Sequence, residues 1–177
     1  MSHSVTIRQF RPEDADTLVE IALAAWAPLF DSWRKLMGEN LFAALHANWR
    51  DDKANAISCA CEGEDGARVA VAERDHGVVG FVTFYGRAHT GMGAIGNNAV
   101  HPDFQGMGIG TMMYEYVFEQ LRESGVRFVE VRTGGDAFHA RARRAYERAG
   151  FSIQCPEVTY YKDLSNTSGK GARDESS

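Results

Sequence analysis

The sequence predicts a mixed α/β layer fold, with a mostly antiparallel sheet flanked by helices. Three observations predict it: helical apolar spacing in the first third, a tight hairpin near residue 76, and two helix–strand units after residue 100.

Taken in order, Val5-Thr6-Ile7-Arg8 reads as a short strand, and Arg11-Pro12-Glu13-Asp14 sets Pro and acids in a helix's first turn, where the dipole favours negative charge. Leu18, Ile21, Ala22 and Ala25 recur at helical spacing until Pro28, which the pattern predicts as an interruption. A second helix is expected over 31–49, with Trp33, Leu36, Met37, Leu41, Leu45 and Trp49 apolar and Gly38 as a candidate break. Cys59 and Cys61 are expected on a strand. Residues 69–73 and 78–85 read as strands around the turn Asp75-His76-Gly77. Residues 94–100 form another strand, ended by His101-Pro102. An amphipathic helix follows over 108–123, with Ile109, Met112, Met113, Tyr116, Val117 and Leu121 apolar, then a strand over 126–132. Phe138, Ala142, Ala145 and Ala149 give the last helix its stripe, stopped at Gly150. Closing strands are expected over 151–153 and 158–161. One domain over 1–164 is expected, with a polar, disordered tail over 165–177.

Composition narrows the function. The chain has 177 residues, 44% hydrophobic and 24% charged, with formal net charge −5. An acidic balance argues against a nucleic-acid partner. No secretory signal pattern opens the sequence, and its longest apolar run, 21–30, is far short of the roughly 20 residues of a membrane helix. A cytoplasmic protein without membrane association is expected. The cysteines, 3 in all, lack zinc-site spacing, so reduced thiols and no metal are expected.

The most informative stretch is Val100-His101-Pro102-Asp103-Phe104-Gln105-Gly106-Met107-Gly108-Ile109-Gly110-Thr111. Alternate glycines between a strand and a helix let N–H groups converge on a ligand, and the helix start adds positive potential. No Lys or Arg occurs between Arg87 and Arg122, so an anion here is held mainly by amides or by residues from elsewhere in the chain. A Walker loop fails for want of a lysine before Thr111, and the dinucleotide spacing fails at Thr111 or Met113.

Gln105-Gly106-Met107-Gly108-Ile109-Gly110 resembles the Gln/Arg-x-x-Gly-x-Gly/Ala loop of the GNAT N-acetyltransferase superfamily. Ala142-Arg143-Arg144-Ala145-Tyr146-Glu147-Arg148-Ala149-Gly150-Phe151 resembles that family's second block. The resemblance spans residues 5–161. It implies a sheet splayed between its central strands and acetyl-CoA as cosubstrate. Backbone amides of Gln105, Gly106, Met107, Gly108, Ile109 and Gly110 would cradle the pyrophosphate, beside Thr111. Ala99 and Val100 would pair with the pantetheine arm, and Ala142 would lie against the cofactor. His139 stands where many members carry an asparagine on the pantetheine, a departure. Tyr146 matches the tyrosine that protonates the departing thiolate; a core tyrosine with a satisfied hydroxyl is the plain alternative. Arg141, Arg144 and Arg148 read as a solvated face, with the cofactor's 3′-phosphate as the alternative.

The family's base positions hold Gly96 and Ala94 here, and neither can take a proton. A lysine-like amine pays about 4.6 kcal/mol to be neutral at pH 7, an α-amine about 1.4 kcal/mol. Either the acceptor is weakly basic or the base comes from elsewhere. His89 is the best side-chain candidate, although an exposed loop histidine is the plainer reading. Trp26, Phe30, Trp33 and Tyr85 are candidate pocket walls, and Asp31 and Glu39 candidate attractors of a cationic amine.

The expected acceptor is a primary amine of a small molecule or peptide. A non-catalytic acyl-CoA sensor of the same fold is the alternative, and a homodimer is an analogy only, dimers being common among similar proteins.

Overall fold

A computed structural model describes residues 4–165. Apart from Ser165, the expected tail lies outside the described residues.

The elements run β1 (Val5–Gln9), α1 (Ala15–Met37), α2 (Glu39–His46), α3 (Trp49–Cys61), β2 (Arg68–Arg74), β3 (Gly77–Arg87), β4 (Met92–Val100), α4 (Ile109–Glu123), β5 (Phe128–Val131) and α5 (Ala140–Arg148). The strands form one sheet in order β1-β2-β3-β4-β5, antiparallel except for the parallel β4–β5 pair. Asp75 and His76 both take positive φ, 52° and 68°, as the tight turn between β2 and β3 requires.

Each face of the sheet has its own core. Val79, Val82 and Phe84 pack with Ile109, Met113, Val117 and Leu121 of α4. Val69, Val71 and Phe81 pack on the other face with Leu18, Ile21 and Ala22 of α1 and Ile57 and Ala60 of α3. Arg8 ties the sheet's outer strand to α1's entry: its guanidinium donates to both carboxylate oxygens of buried Asp14, at 2.7 and 2.9 Å, and to Glu73 at 2.6 Å.

Several expectations are corrected. α1 runs straight through Pro28, because tertiary packing of its flanking turns outweighs one missing ladder bond. The break falls at Gly38, with φ 76°, so residues 31–49 are not one helix. Leu36 and Leu45, expected inside, are exposed. Cys59 and Cys61 lie on α3 rather than on a strand, and all cysteines are free. Within α4 the buried tyrosine is Tyr114, while Tyr116 is half-buried and Met112 partly exposed. Phe138 precedes α5 and is exposed.

The expected closing strands are absent among the described residues. Phe151 packs edge-on to Phe118 and Tyr146, but beyond it Ile153, Val158, Tyr160 and Tyr161 are exposed. Alternating β-formers become a strand only when an edge pairs with them, and four-residue β5 carries no second partner. β5 is therefore an edge strand, and the splay lies between β4 and this edge.

Candidate active site

The site begins where two strands part. β4 and β5 pair from Met92/Phe128 to Ile95/Val131, and no further. The β5-facing side of β4 from Gly96 to Val100 thus lacks a strand partner, while its other side stays bonded to β3.

Gly96 sits at the fork, and the structure explains why. A Cβ there would lie 2.5 Å from Thr83 Oγ1 and 3.0 Å from the Tyr85 ring. Thr83 is fully buried and its hydroxyl has no hydrogen-bond partner. The β3–β4 register shifts at this point, a local bulge that sets Gly96 and Asn97 opposite Thr83.

Two consecutive asparagines then face opposite ways. Asn97 Oδ1 accepts from Lys53 Nζ on α3 at 2.9 Å. Asn98 turns toward α4 and α5: its amide donates to the Gly96 carbonyl at 3.1 Å and to Tyr146 Oη at 3.3 Å, and its oxygen accepts from Tyr114 Oη at 2.8 Å. Both phenols are buried, and desolvation raises the pKa of each. For Tyr146, the hydrogen bond from Asn98 and the nearby Tyr114 hydroxyl pull the other way without overcoming burial.

The glycine loop closes the far end of the fork. Gly106 and Gly108 take φ 85° and 79°, values side-chain-bearing residues avoid. Gly110 has ordinary φ and open space around it. Gln105 fixes the loop by donating to the Val100 carbonyl at 3.0 Å and accepting from Arg141 at 2.6 Å. The first helical bond of α4 runs from Met112 N–H to Gly108 C=O, so the N–H groups of Ile109, Gly110 and Thr111 precede the ladder. These donors, at the positive end of a 15-residue helix, fit a diphosphate without a lysine.

A cleft of about 980 Å³ joins fork and loop. Of the residues expected to hold the cofactor, Ala99, Val100, Gln105, Gly106, Gly108 and Ile109 line it. Gly110, Thr111, His139 and Ala142 do so as well, together with Tyr146. Met107 does not; it is exposed, with its sulfur 3.5 Å from Arg74 Nη1. Asp136 holds the entry to α5, accepting from the Phe138 and His139 N–H groups at 2.9 and 3.1 Å. Its other oxygen lies 2.6 Å from His139 Nδ1. Desolvation pushes the Asp136 carboxyl up, but the His139 contacts outweigh it and hold the pKa below the ordinary value. Arg141, Arg144 and Arg148 line the cleft rather than standing apart from it.

Other candidates fall outside. His89 is exposed in the turn between β3 and β4, at the end of β4 away from the fork, and does not line the cleft. Of the four aromatics only Trp26 lines it; Phe30 is buried in a cluster with Phe42 and Trp49. Glu39 pairs with Arg34, and Asp31 lies away from the cleft.

Sequence reasoning missed Asn98, Tyr114 and Lys53. One signal existed for the last: Trp49, Lys53, Ile57 and Ala60 follow the i, i+4, i+8, i+11 stripe of an inward helix face.

A forked sheet, N–H groups outside the ladder at a glycine-rich helix start and a buried phenol beneath the fork together make a cleft suited to an extended, phosphate-bearing ligand. The acetyltransferase (GNAT) family matches residues 26–151, and the chain belongs to that family, whose members draw their acetyl group from acetyl-CoA. A mycothiol acetyltransferase of Cellulomonas flavigena is 30% identical over 173 residues, covering 89% of this chain and 48% of the relative. The chain thus spans about half the length of that curated relative. Among solved structures, the PaiA N-acetyltransferase of Thermoplasma acidophilum in complex with coenzyme A shares 17% identity and a TM-score of 0.66, covering 87% of this chain and 93% of the other. A ribosomal-protein-alanine N-acetyltransferase of Brucella melitensis shares 17% identity and a TM-score of 0.54, covering 90% and 100%. These two likenesses are of fold. No helix among the described residues is long and apolar enough to cross a membrane.

Proposed function

We propose that this chain acetylates a primary amine of a small molecule or peptide by direct attack on acetyl-CoA, with Tyr146 as general acid. The cosubstrate supplies an activated acyl carbon and a thiolate leaving group. Free N–H groups of Ile109, Gly110 and Thr111 are suited to its diphosphate, and the edge of β4 between Gly96 and Val100, which no strand covers, to its pantetheine amides.

One observation carries the reading. Asn98 donates to the Tyr146 oxygen, so the phenol accepts there and its own proton remains available to the cleft. Burial keeps that proton on oxygen at neutral pH. The amine nitrogen bonds the acetyl carbon, the carbon–sulfur bond breaks, and the sulfur takes the Tyr146 proton. The acceptor's own proton leaves to solvent, since Gly96 offers no base, and solvent returns a proton to the Tyr146 phenolate to close the cycle. A backbone amide at the fork can bond the developing oxyanion. The name of the Cellulomonas relative, a mycothiol acetyltransferase, supports a small-molecule acceptor.

A screen of thiol release from acetyl-CoA against amino acids, polyamines, aminoglycosides and peptide N-termini tests this. Turnover that falls steeply in Tyr146→Phe is expected. Coenzyme A binding with no turnover of any amine, and no effect of Tyr146→Phe, would favour a sensor instead.

A further inference from the structure

Lys53 is the charged group that the reaction above does not use. It projects from the inward stripe of α3 and is half-buried, with Nζ 2.9 Å from Asn97 Oδ1 and 4.3 Å from the centre of the Trp26 ring. An ammonium has three donors. One goes to Asn97, the ring face takes the charge on another side, and no carboxylate among the described residues pairs with it. Burial lowers its pKa, with no counter-charge to offset the cost of desolvation.

The charge around it is one-sided. Lys53, Arg132, Arg141, Arg144 and Arg148 line the cleft, and no Asp or Glu does. The α5 arginines stand on the Asn98–Tyr146 side, where Arg141 is bonded to the glycine loop through Gln105. Lys53 stands on the opposite side with Asn97, one residue from the fork. Trp26 lies against Lys53, and the other α1 residues that line the cleft, Ala25, Pro28 and Leu29, are apolar as well. A polycationic acceptor would meet like charge and find no carboxylate to hold it. An anion would complete the third donor and neutralise a partly desolvated charge.

We infer that the acceptor is an apolar amine carrying a carboxylate within a few bonds of its nitrogen, and that Lys53 is the specificity-determining residue that receives this carboxylate. The inference rests on the acetyl-transfer reading. Lys53 takes no proton in it; it holds the acceptor's carboxylate equally before and during attack, so its loss is read in KM.

The test uses the full chain at saturating acetyl-CoA with three probes of one shape: leucine, leucinamide and 3-methylbutylamine. With rates referred to the neutral amine, so that the differing basicities cancel, leucine is expected to exceed the other two in kcat/KM by about tenfold to hundredfold, the range of one charge-assisted hydrogen bond. Lys53→Met should raise the leucine KM by a similar factor, leaving kcat, leucinamide kinetics and calorimetric coenzyme A binding within about threefold. Lys53→Arg, which keeps the charge, should restore most of the leucine KM. Leucinamide or 3-methylbutylamine turned over as well as leucine would overturn the inference while leaving acetyl transfer standing. So would a Lys53→Arg enzyme that loses kcat at unchanged KM, since that marks a proton acceptor. Coenzyme A binding without turnover of any amine would fail the acetyl-transfer reading itself, and this inference with it.

Discussion

Asn98 binds the oxygen of Tyr146 with its amide nitrogen and the hydroxyl of Tyr114 with its amide oxygen, at 3.3 and 2.8 Å. Tyr114 thereby sets which end of the amide faces Tyr146, and so which role is left to the Tyr146 proton. Removing that proton in Tyr146→Phe should lower kcat by about 10²- to 10⁴-fold with coenzyme A affinity unchanged. Tyr114→Phe frees the amide to flip and should lower kcat by about tenfold. Steady-state rates with calorimetric binding check both.

The same burial has a pH consequence. A general acid works while protonated, and its activity falls as pH rises through its pKa. For Tyr146 that pKa lies above the ordinary phenol value, with burial as the main cause. The rate should therefore show no falling limb from this group below about pH 10. A descending limb that vanishes in Tyr146→Phe but lies near pH 8 would contradict the buried geometry.

Backbone conformation separates the loop glycines. Gly108 has φ 79° and Gly110 an ordinary value with no neighbour in the way. Gly108→Ala should cost about 1–3 kcal/mol, as lost thermal stability or coenzyme A affinity. Gly110→Ala should leave stability within about 0.5 kcal/mol. Equal effects would show the loop has another conformation.

Much of this loop was legible because its logic is local. Glycines at Gly106 and Gly108, the helix pattern from Ile109 and the strand ending at His101-Pro102 act within a few residues. The Asp75-His76-Gly77 hairpin was legible for the same reason. What was hidden depends on partners far along the chain. Pro28 looks like a stop until α1 packs on the sheet, and 158–161 look like a strand until no edge receives them. Lys53 meets Asn97 across 44 residues, and Tyr114 is distinguished from Tyr116 only by the fork it faces.

The fork's missing base has a steric origin that stability measurements can expose. Gly96→Ala forces a methyl against Thr83 Oγ1, a stiff β-branched side chain in a full core, and should cost about 1–3 kcal/mol. Thr83→Ala should relieve part of that cost, a coupling visible in a double-mutant cycle. Thr83→Val alone should be neutral or stabilising by about 1 kcal/mol, since the hydroxyl it removes is buried without a partner.

Acid sensitivity should centre on Asp14. Its carboxyl is held below the ordinary value chiefly by the Arg8 hydrogen bonds, against desolvation, with help from the Arg11 N–H. A depressed carboxylate stabilises the fold above its unfolded pKa, near 3.9, and that contribution is lost as pH falls through the folded value. Asp14→Asn leaves the Arg8 charge with Glu73 as its remaining carboxylate and should cost about 1–3 kcal/mol in urea unfolding at pH 7. The variant's stability should then change less than the parent's on acidification below about pH 4.

Calorimetric titration with coenzyme A, beside pantetheine that lacks every phosphate, tests most directly whether amides at the start of α4 anchor the cosubstrate. Clear binding of coenzyme A, at least about a hundredfold tighter than pantetheine and weakened in Gly108→Ala, is the expected result. No heat with coenzyme A, or equal affinity for the two ligands, would contradict it.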